Sequence, residues 1–370
     1  MNVGKILGFI KQNRLFSGAF LLAIIASFIG RFSLNFVDWK VILTLFGLML
    51  VIQGFEVLGV LRFFAEKLLD YSNSNRQLIQ LLVLLSLVGS MFLTNDVAVL
   101  TLLPIYLKLY IELKHFKGGI FGAVLIVVAA NLGSSFFPFG NPQNLYLYHY
   151  YHVPLGQFLL WMAGLLALSC LFLFLLTLRI PKESLPKIVA ENDTIDKKGV
   201  LLFSLLMGAM ILVVLGLLPD LWTVIGLILV VFCYQKDLLK RVDYLLLLTF
   251  VCFFMIVGNI AEAAVVRDIL AQLLSSAKRV YLIAIALSQV ISNVPAAFLM
   301  EPFTQYHQAL ILGVNVGGLG TLIASLANLI GLNIIKLYTP GQQKSFIKIF
   351  TLVNFSLLIA IGCIILFFIH

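Results

Sequence analysis

The sequence has 370 residues, of which 62% are hydrophobic and only 11% are charged. Soluble globular proteins carry about 25% charged residues, so this chain has too little charge to cover a soluble core of its size. The net charge of +9 does not indicate a nucleic-acid partner, because most Lys and Arg residues lie in short segments between apolar runs, where they orient membrane helices.

Apolar runs of about 20 residues, the length that a helix needs to cross the hydrocarbon layer, recur along the whole chain. Such runs are expected to be helices, because every backbone polar group inside lipid must be satisfied within the segment. The clear predicted spans, in chain order, are 15–34, 41–61, 118–137, 156–178, 200–218, 219–234, 244–261, 309–335 and 346–369.

Two further apolar stretches, 77–107 and 279–307, are each too long for one crossing and too short for two. Each has a polar triplet near its middle, TND at 94–96 and SNV at 292–294. A re-entrant hairpin that reaches mid-membrane and returns fits both features, provided that protein or a cavity surrounds its tip.

The distribution of basic residues supports the two hairpins. With hairpins, most Lys and Arg residues fall on one side of the membrane, whereas two full crossings would divide them almost evenly. The positive-inside rule then places the N-terminus and the 179–198 loop in the cytoplasm, and residues 263–279 and the C-terminus outside. We therefore expect a multi-pass protein of the inner or plasma membrane.

The sequence contains an internal repeat. Matching residues recur in the same order on the same kinds of element: Asp38 with Asp243, Arg62 with Arg267, Asn95 with Asn293, Pro104 with Pro302, Asn131 with Asn315, and Asn144 with Asn328. Span 200–218 adds one crossing, so the second half enters the membrane from the side opposite to the first half. The predicted fold is an all-α polytopic membrane protein with a first repeat at 1–180, a loop and linking span at 181–218, and an inverted second repeat at 219–370.

The spans that follow the hairpins are predicted to be interrupted. In the first, Gly140 and Pro142 break the helix within a polar GNPQN run. In the second, polar residues from Asn315 to Asn328 surround a glycine-rich stretch. Half-helix N-termini at such breaks can hold an anion, and free carbonyls there can hold a cation. Small residues alone would also fit helix packing, but packing does not explain GNPQN.

Acidic residues inside the spans are few. Asp96, at the first hairpin tip, is a candidate for proton or cation coupling, because an ionisable group at membrane depth is a functional hypothesis by default. Its alternative role is to cap the returning helix. Glu56 and Glu262 are the other candidates inside the spans, but each has an Arg a few residues on, so local ion pairs with Arg62 and Arg267 are expected instead.

Other chemistry is disfavoured by the sequence. Cys170, Cys233, Cys252 and Cys363 fall inside apolar spans as small core residues, with no CxxC pair or histidine cluster to indicate a metal or a disulfide framework. The chain has no GxxxxGK[ST] loop, and neither paired carboxylates nor a histidine cluster is visible near one face, so neither an ATPase nor a membrane-embedded enzyme is expected. No cofactor is predicted beyond a coupling Na⁺ or H⁺.

Three motifs, TNDVAVLTLLP, ANLGSSFFPFGNPQNL and SNVPAAFLMEPF, resemble the ion transporter superfamily, which includes citrate and dicarboxylate permeases, arsenite permeases and some sodium/proton antiporters. The GNPQNL run is most similar to the citrate-transporter-like anion permeases. The resemblance implies a homodimer in which a mobile transport domain moves against a fixed scaffold as an elevator. It also implies a small anionic substrate, such as a di- or tricarboxylate, with arsenite efflux or sodium/proton antiport as the alternatives.

The resemblance further implies that the two hairpin tips and the two interrupted helices form the substrate and ion sites. The residues that match are Thr94, Asn95, Asp96, Gly140, Asn141, Pro142, Asn144, Ser292, Asn293, Val294, Asn315, Ser325 and Asn328. The chain departs from sodium-coupled dicarboxylate permeases, which have Ser-Asn-Thr at both tips. Val294 offers no hydroxyl, which disfavours sodium coupling, and Asp96 is more like the arsenite-permease branch and suits proton coupling.

Overall fold

The computed structural model describes residues 13–113, 116–185 and 195–369. The first part contains α1 (Arg14–Ile29), α2 (Trp39–Val57), α3 (Val60–Leu69), α4 (Asn75–Leu93), α5 (Asn95–Glu112), α6 (Gly119–Gly133), α7 (Pro142–Tyr150) and α8 (Leu155–Leu178). The second contains α9 (Lys197–Val214), α10 (Asp220–Gln235), α11 (Tyr244–Glu262), α12 (Ala264–Leu273), α13 (Ala277–Ile291), α14 (Asn293–Met300), α15 (His307–Gly317), α16 (Leu326–Tyr338) and α17 (Gln343–Phe367). These described residues contain no strand, only an isolated bridge between Ser74 and Ser184.

Seven of the described helices are long and apolar enough to cross a membrane: α2, α4, α8, α9, α10 with the turn that follows it, α11 and α17. Cys170, Cys233 and Cys363 lie on exposed faces of such helices, and only Cys252 is buried. The prediction of four core cysteines is therefore wrong, because an apolar sequence does not separate lipid-facing positions from buried ones. Residues 1–12, 114–115, 186–194 and 370 lie outside the described part of the chain. The sidedness of the termini and of the 179–198 loop stays a prediction.

The helices repeat in order. The sets α2–α8 and α11–α17 each consist of a long span, a short amphipathic helix, a hairpin, two half-helices and a final span. Asp38 and Asp243 cap the equivalent spans α2 and α11 by accepting hydrogen bonds from first-turn N–H groups. Ser74 and Ser276 cap the first hairpin helices, α4 and α13, in the same way. The predicted all-α fold of two inverted repeats is confirmed.

The helices that precede the two repeats are exchanged between them. Helix α1 packs against α11 of the second repeat, whereas α9 and α10 pack against α2 of the first. An ion pair between Arg31 and Glu262, and a hydrogen bond of 2.7 Å from the Arg31 backbone N–H to Asn259 Oδ1, fasten the end of α1 to α11. Glu262 therefore has Arg31 as its partner, and the predicted pair with Arg267 is wrong.

The predicted pair between Glu56 and Arg62 is also wrong. Arg62 pairs with Glu66 one turn later in α3 (2.7 Å), and Glu56 accepts a hydrogen bond from Gln53 (2.9 Å). Helix α2 ends at Val57 and α3 starts afresh, so the two residues do not share one helical face. Sequence spacing across a helix end does not determine which side chains meet.

Two hairpins, α4–α5 and α13–α14, reverse at equivalent residues. Thr94 has φ 70° and ψ 157°, and Ser292 has φ 79° and ψ 154°. Positive φ is sparsely populated by residues that carry a Cβ, so the same uncommon conformation at both positions marks a shared turn geometry. We call residues 94–96 tip 1 and residues 292–294 tip 2.

Both predicted interrupted spans are broken into two half-helices. The first span pauses at residues 134–141 (break 1) between α6 and α7, and the second pauses at 318–325 (break 2) between α15 and α16. The span predicted to end at residue 137 is too short, because it continues beyond break 1 as α7. Pro142 is the first residue of α7, where its missing N–H costs nothing.

Close contacts hold each hairpin against its interrupted span. A Cβ added at Gly133 would collide with the Leu87 carbonyl and the Ser90 hydroxyl, and a Cβ added at Gly317 would collide with the Ser288 side chain. Helices α4 and α6, and likewise α13 and α15, therefore approach more closely than larger residues allow. This contact places each tip at the depth of its break.

Candidate functional site

A network of polar side chains joins tip 1 to both interrupted spans. Asn95 Nδ2 donates to Asn131 Oδ1 (3.0 Å) and to Ser325 Oγ (3.3 Å). The Ser325 hydroxyl donates to the same Asn131 Oδ1 (2.8 Å), and Asn131 Nδ2 donates to Asn328 Oδ1 (2.5 Å). All four side chains are buried. Tip 1, the end of α6 and the start of α16 thus form one hydrogen-bonded unit.

The equivalent residues of the other repeat form a matching set. Asn315 Nδ2 donates to Asn144 Oδ1 (2.6 Å), and Asn141 Nδ2 donates to Asn315 Oδ1 (3.2 Å). Asn315 is the counterpart of Asn131, and Asn144 is the counterpart of Asn328. The end of each first half-helix is therefore bonded to the start of the second half-helix in the opposite repeat.

Break 1 is held by its own asparagines. Asn141 Oδ1 accepts the backbone N–H of Asn144 and so caps α7 (2.9 Å), while Asn144 Nδ2 donates to the Ser135 carbonyl (2.8 Å). A Cβ at Gly140 would collide with the Ser134 carbonyl, so this close approach requires glycine. These contacts satisfy backbone groups that a broken helix leaves without partners.

Break 2 depends on a residue that the sequence analysis missed. Gln289, one turn before tip 2, donates to the carbonyls of Gly317 (2.9 Å) and Leu319 (3.1 Å) and accepts the backbone N–H of Thr321 (2.9 Å). Asn328 Nδ2 donates to the Thr321 carbonyl from the other side (3.2 Å). The only sequence signal for this role is that Gln289 is a single glutamine within the apolar first helix of the hairpin, α13.

Tip 2 is tied down less tightly than tip 1. The Asn293 backbone N–H donates to the Ala324 carbonyl (2.9 Å), and the Ser292 hydroxyl contacts the same oxygen (3.3 Å). Within the described residues, the side-chain nitrogen of Asn293 donates no hydrogen bond, although the residue is buried. Val294 lines the same space with methyl groups only. Asn293, which lines the cavity, thus brings an amide without a hydrogen-bond acceptor among the described residues to tip 2.

Four helix N-termini meet at this cavity. Its volume is about 50 Å³, and the first residues of α5, α7, α14 and α16, which are Asn95, Pro142, Asn293 and Leu326, all line it. Unpaired N–H groups give each N-terminus a partial positive charge, equivalent to about half an elementary charge for a long helix. The meeting of four such ends favours a negatively charged group between them. We call this space the four-helix cavity.

A larger cavity of about 190 Å³ adjoins the first and separates tip 1 from α2. Tip 1, Asn141 and Pro142 line one side of it, and Gln53, Glu56 and Asp243 line the other. Among the residues that the structure describes, no Lys or Arg lines either cavity. The carboxylates of Glu56 and Asp243, which the sequence analysis did not assign to the site, therefore face the same space as Asp96. We call this space the α2 cavity.

Asp96 lies where the two cavities meet. Its backbone N–H donates to Asn95 Oδ1 (3.0 Å), and it lines both cavities. Its Oδ1 is buried and has no hydrogen-bond partner in the described part of the chain. Thr94, the capping residue of α5, also makes no side-chain capping bond. Asp96 is therefore placed in the first turn of α5 without the capping bond that its alternative role requires.

The structure gathers the predicted residues into two groups. Nine of them line the cavities: Thr94, Asn95, Asp96, Asn141, Pro142, Ser292, Asn293, Val294 and Ser325. Four lie behind this lining and hold the breaks in place: Gly140, Asn144, Asn315 and Asn328. Among the described residues, no group of three or more His, Cys, Asp or Glu side chains could hold a metal ion.

Comparison with known proteins identifies the family. The family model described as citrate transporter (CitMHS) matches residues 9–308. The chain belongs to this family. The resemblance seen in the three motifs is confirmed, and the protein is a transporter of this class.

Two relatives support the same assignment. The chain is 32% identical over 309 residues to the uncharacterized transporter MJ0456 of Methanocaldococcus jannaschii, covering 81% of this chain and 82% of the relative. It is 33% identical over 303 residues to the inner membrane protein YbiR of Escherichia coli, covering 80% of each. The crystal structure of the YdaH transporter from Alcanivorax borkumensis, at 14% identity, shares the fold with a TM-score of 0.54 over 88% of this chain and 84% of that one.

Proposed function

We propose that this chain is a secondary active transporter of a small anion of the di- or tricarboxylate class that includes citrate, and that a proton gradient drives it. The observation that carries the proposal is the meeting of four helix N-termini, two from each repeat, at one buried cavity. Such ends stabilise a carboxylate without any Lys or Arg. The free amide of Asn293 adds a donor to the same space. Membership of the citrate transporter family supports the anionic substrate class.

Proton coupling is proposed to act through Asp96. An ionised Asp96 would repel an anion in the four-helix cavity, whereas a protonated Asp96 has an O–H that can donate to it. The anion and the proton would therefore bind together, and neither would be carried efficiently alone. The Oδ1 atom of Asp96 has no hydrogen-bond partner among the described residues, so it is free to carry the proton and to donate to the anion. The absence of a hydroxyl at Val294 disfavours Na⁺ as the coupling ion.

An elevator movement of a homodimer in the inner membrane completes the proposal. The asparagine network links tip 1 to both breaks, and the Asn293 backbone N–H links tip 2 to break 2, so these elements would move as one transport unit. Helices α2 and α11 would form part of the fixed scaffold. The α2 cavity between this unit and α2 supports a sliding boundary at that surface.

A second candidate, sodium/proton antiport or arsenite efflux, is favoured by one specific observation. Within the described part of the chain, the α2 cavity is lined by three carboxyl groups, from Glu56, Asp96 and Asp243, and by no basic residue. Such a surface attracts a cation and tolerates a neutral hydroxylated solute, but it disfavours a multiply charged anion. The two candidates therefore differ in the charge of the substrate.

Uptake into proteoliposomes separates the candidates. We expect purified protein to accumulate a radiolabelled carboxylate from a panel of citrate, succinate and malate when a proton gradient is imposed, and a protonophore to abolish the accumulation. Proton movement driven by a sodium gradient, without any carboxylate, would overturn the proposal in favour of antiport. Accumulation of arsenite alone would favour the efflux function.

A further inference from the structure

A second buried carboxyl group lies outside the site described above. Glu301 begins the short turn Glu301–Phe303 at the end of hairpin α13–α14 and is 2% exposed. Its Oε2 accepts a hydrogen bond from the Tyr146 hydroxyl (2.6 Å). Its Oε1 is buried without a hydrogen-bond partner, and no ion pair of the described residues includes Glu301. A buried charge without a counter-ion is costly, and a neutral carboxyl avoids that cost.

Glu301 also lines a cavity of about 610 Å³ that is separate from the four-helix and α2 cavities. Other residues around it are Tyr150, Tyr151, Arg267, Thr304 and His307. The predicted topology places this cavity, which we call the outer cavity, on the outside of the membrane. It is large enough to hold water, so it can carry protons from that side to Glu301.

The ionisable groups around Glu301 come from three elements. Helix α7 contributes Tyr146 and Tyr150, Tyr151 directly follows α7, helix α12 contributes Arg267, and His307 begins α15. The Tyr151 hydroxyl bonds to the main-chain carbonyls of Glu301 (2.9 Å) and Thr304 (3.0 Å), not to the carboxyl group. Arg267 shares the outer cavity and has Asp268 at 4.0 Å. Tyr146 is thus the only one of these groups that bonds directly to the Glu301 carboxyl.

The bond between Glu301 and Tyr146 joins two elements that form the four-helix cavity. The Tyr146 ring stacks on Phe298 of α14, with centroids 3.9 Å apart and planes 3° from parallel. Tyr146 lies on α7, which begins at Pro142, and Phe298 lies on α14, which begins at Asn293. A change at the Glu301 carboxyl therefore reaches tip 2 through one short helix.

We propose that Glu301 is a second proton-binding group of this transporter, supplied from the outer cavity and distinct from Asp96. The inference rests on the proton coupling proposed above and adds a site to it. The proton binds Oε1, which leaves the carboxyl neutral while Oε2 continues to accept the Tyr146 hydrogen bond. Loss of that proton leaves a buried charge that water from the outer cavity must solvate. Solvation of the Glu301 carboxylate separates the end of hairpin α13–α14, where Glu301 lies, from α7.

Infrared difference spectroscopy of the purified full chain between alkaline and acidic pH, without added substrate, tests this directly. We expect a high-frequency C=O band of a buried protonated carboxyl that is lost in Glu301→Gln. The band should shift upward in Tyr146→Phe, where the carboxyl remains but loses one hydrogen bond. Asp268→Asn, which removes an exposed carboxyl near the same cavity, should leave the band unchanged. The band should also shift promptly in D₂O, because the outer cavity gives water access.

Two results would overturn the inference: a Glu301→Gln spectrum identical to that of the original protein, or a Glu301 band that resists deuteration. If Glu301→Gln fails to fold, the Tyr146→Phe shift decides in its place, and an unshifted band would count against Glu301. Failure of the proposed function looks different. If the Asp96→Asn spectrum kept every carboxyl band of the original protein, Asp96 would be excluded as a coupling group. The Glu301 band would be present in both spectra.

Discussion

Asn131 and Asn315 occupy equivalent positions near the ends of the first half-helices, and each donates its side-chain amide across the boundary between the repeats. Asn131 donates to Asn328 at 2.5 Å, and Asn315 donates to Asn144 at 2.6 Å. Neither interrupted span can therefore move at its break without breaking a bond to the other repeat. The two breaks behave as one rigid centre beneath the cavity lining.

Asn315→Ala is expected to destabilise the protein by about 1–3 kcal/mol, because it leaves the side-chain oxygen Oδ1 of Asn144 buried without a donor. Thermal unfolding in detergent measures the loss as a lower melting temperature. Asn333→Ala is the matched control, since Asn333 is an exposed residue in the middle of α16, and it should change stability by less than about 0.5 kcal/mol. Equal melting temperatures for the two variants would contradict the assignment.

Asn95→Ala and Asn293→Ala should each reduce transport in proteoliposomes to background, because each removes an amide from the cavity lining. Their stabilities should differ. The Asn95 side chain donates hydrogen bonds to Asn131 and Ser325, so Asn95→Ala should lower the melting temperature. The Asn293 side chain donates no hydrogen bond to the described residues, so Asn293→Ala should lower the melting temperature less. Full transport by either variant would remove that residue from the proposed site.

Asp96→Asn should still exchange substrate but should no longer concentrate it in response to a pH gradient. The amide keeps the shape and hydrogen-bonding capacity of the carboxyl but cannot take up or release a proton. Counterflow exchange and gradient-driven uptake in the same proteoliposomes measure the two properties separately. Glu112→Gln, at the exposed far end of α5, should retain both. Proton-driven accumulation by Asp96→Asn at the original rate would exclude Asp96 as the coupling residue.

Gly133→Ala should destabilise the protein by roughly 1–3 kcal/mol, because its Cβ has no room beside the Leu87 carbonyl and Ser90. The same substitution at Gly164 in α8 meets no atom within 4 Å and should stabilise the helix by about 0.5–1 kcal/mol. Opposite shifts in melting temperature are therefore expected from chemically identical changes. A Gly133→Ala protein as stable as the original would show that α4 and α6 are not in close contact.

Topology is tested by cysteine labelling of intact cells, in a protein whose four native cysteines are replaced by serine. Lys278→Cys should react with a membrane-impermeant reagent, and Lys182→Cys should react only after the cells are permeabilised. Both positions are exposed in the structure, so burial does not confound the comparison. The reverse pattern would invert the predicted orientation.

The main features of the fold could be predicted because they depend on strong sequence signals. The polar triplets at residues 94–96 and 292–294 interrupt long apolar runs, and the matching Asp38 and Asp243 mark equivalent helix starts. These features depend on hydrophobic length and capping chemistry, which are local. The same signals located the part of the cavity lining that comes from the tips and breaks, because these are the positions where polar residues occur at membrane depth.

What the sequence could not supply depends on contacts between distant segments. Nothing local indicates that Arg31 pairs with Glu262, because the partner is set by the packing of α1 on α11. Asp243 was recognised as a repeat marker, yet its place in the α2 cavity follows only from the arrangement of α2 beside the tips. Gln289 and Glu301 were missed for the same reason, since their roles are defined by backbone and side chains from other elements.

The exchange of α1 onto the second repeat has a consequence for synthesis of the protein. Arg31 at the end of α1 and its hydrogen-bond partner Asn259 are 228 residues apart, so α1 enters the bilayer long before its packing partner exists. At about 5–20 residues per second the ribosome needs roughly ten to forty-five seconds to supply α11. During that interval the face of α1 that later packs on α11 has no partner there, and the apolar side chains of α1 are compatible with lipid. Assembly therefore finishes late, and a chain truncated before α11 leaves α1 without its packing partner.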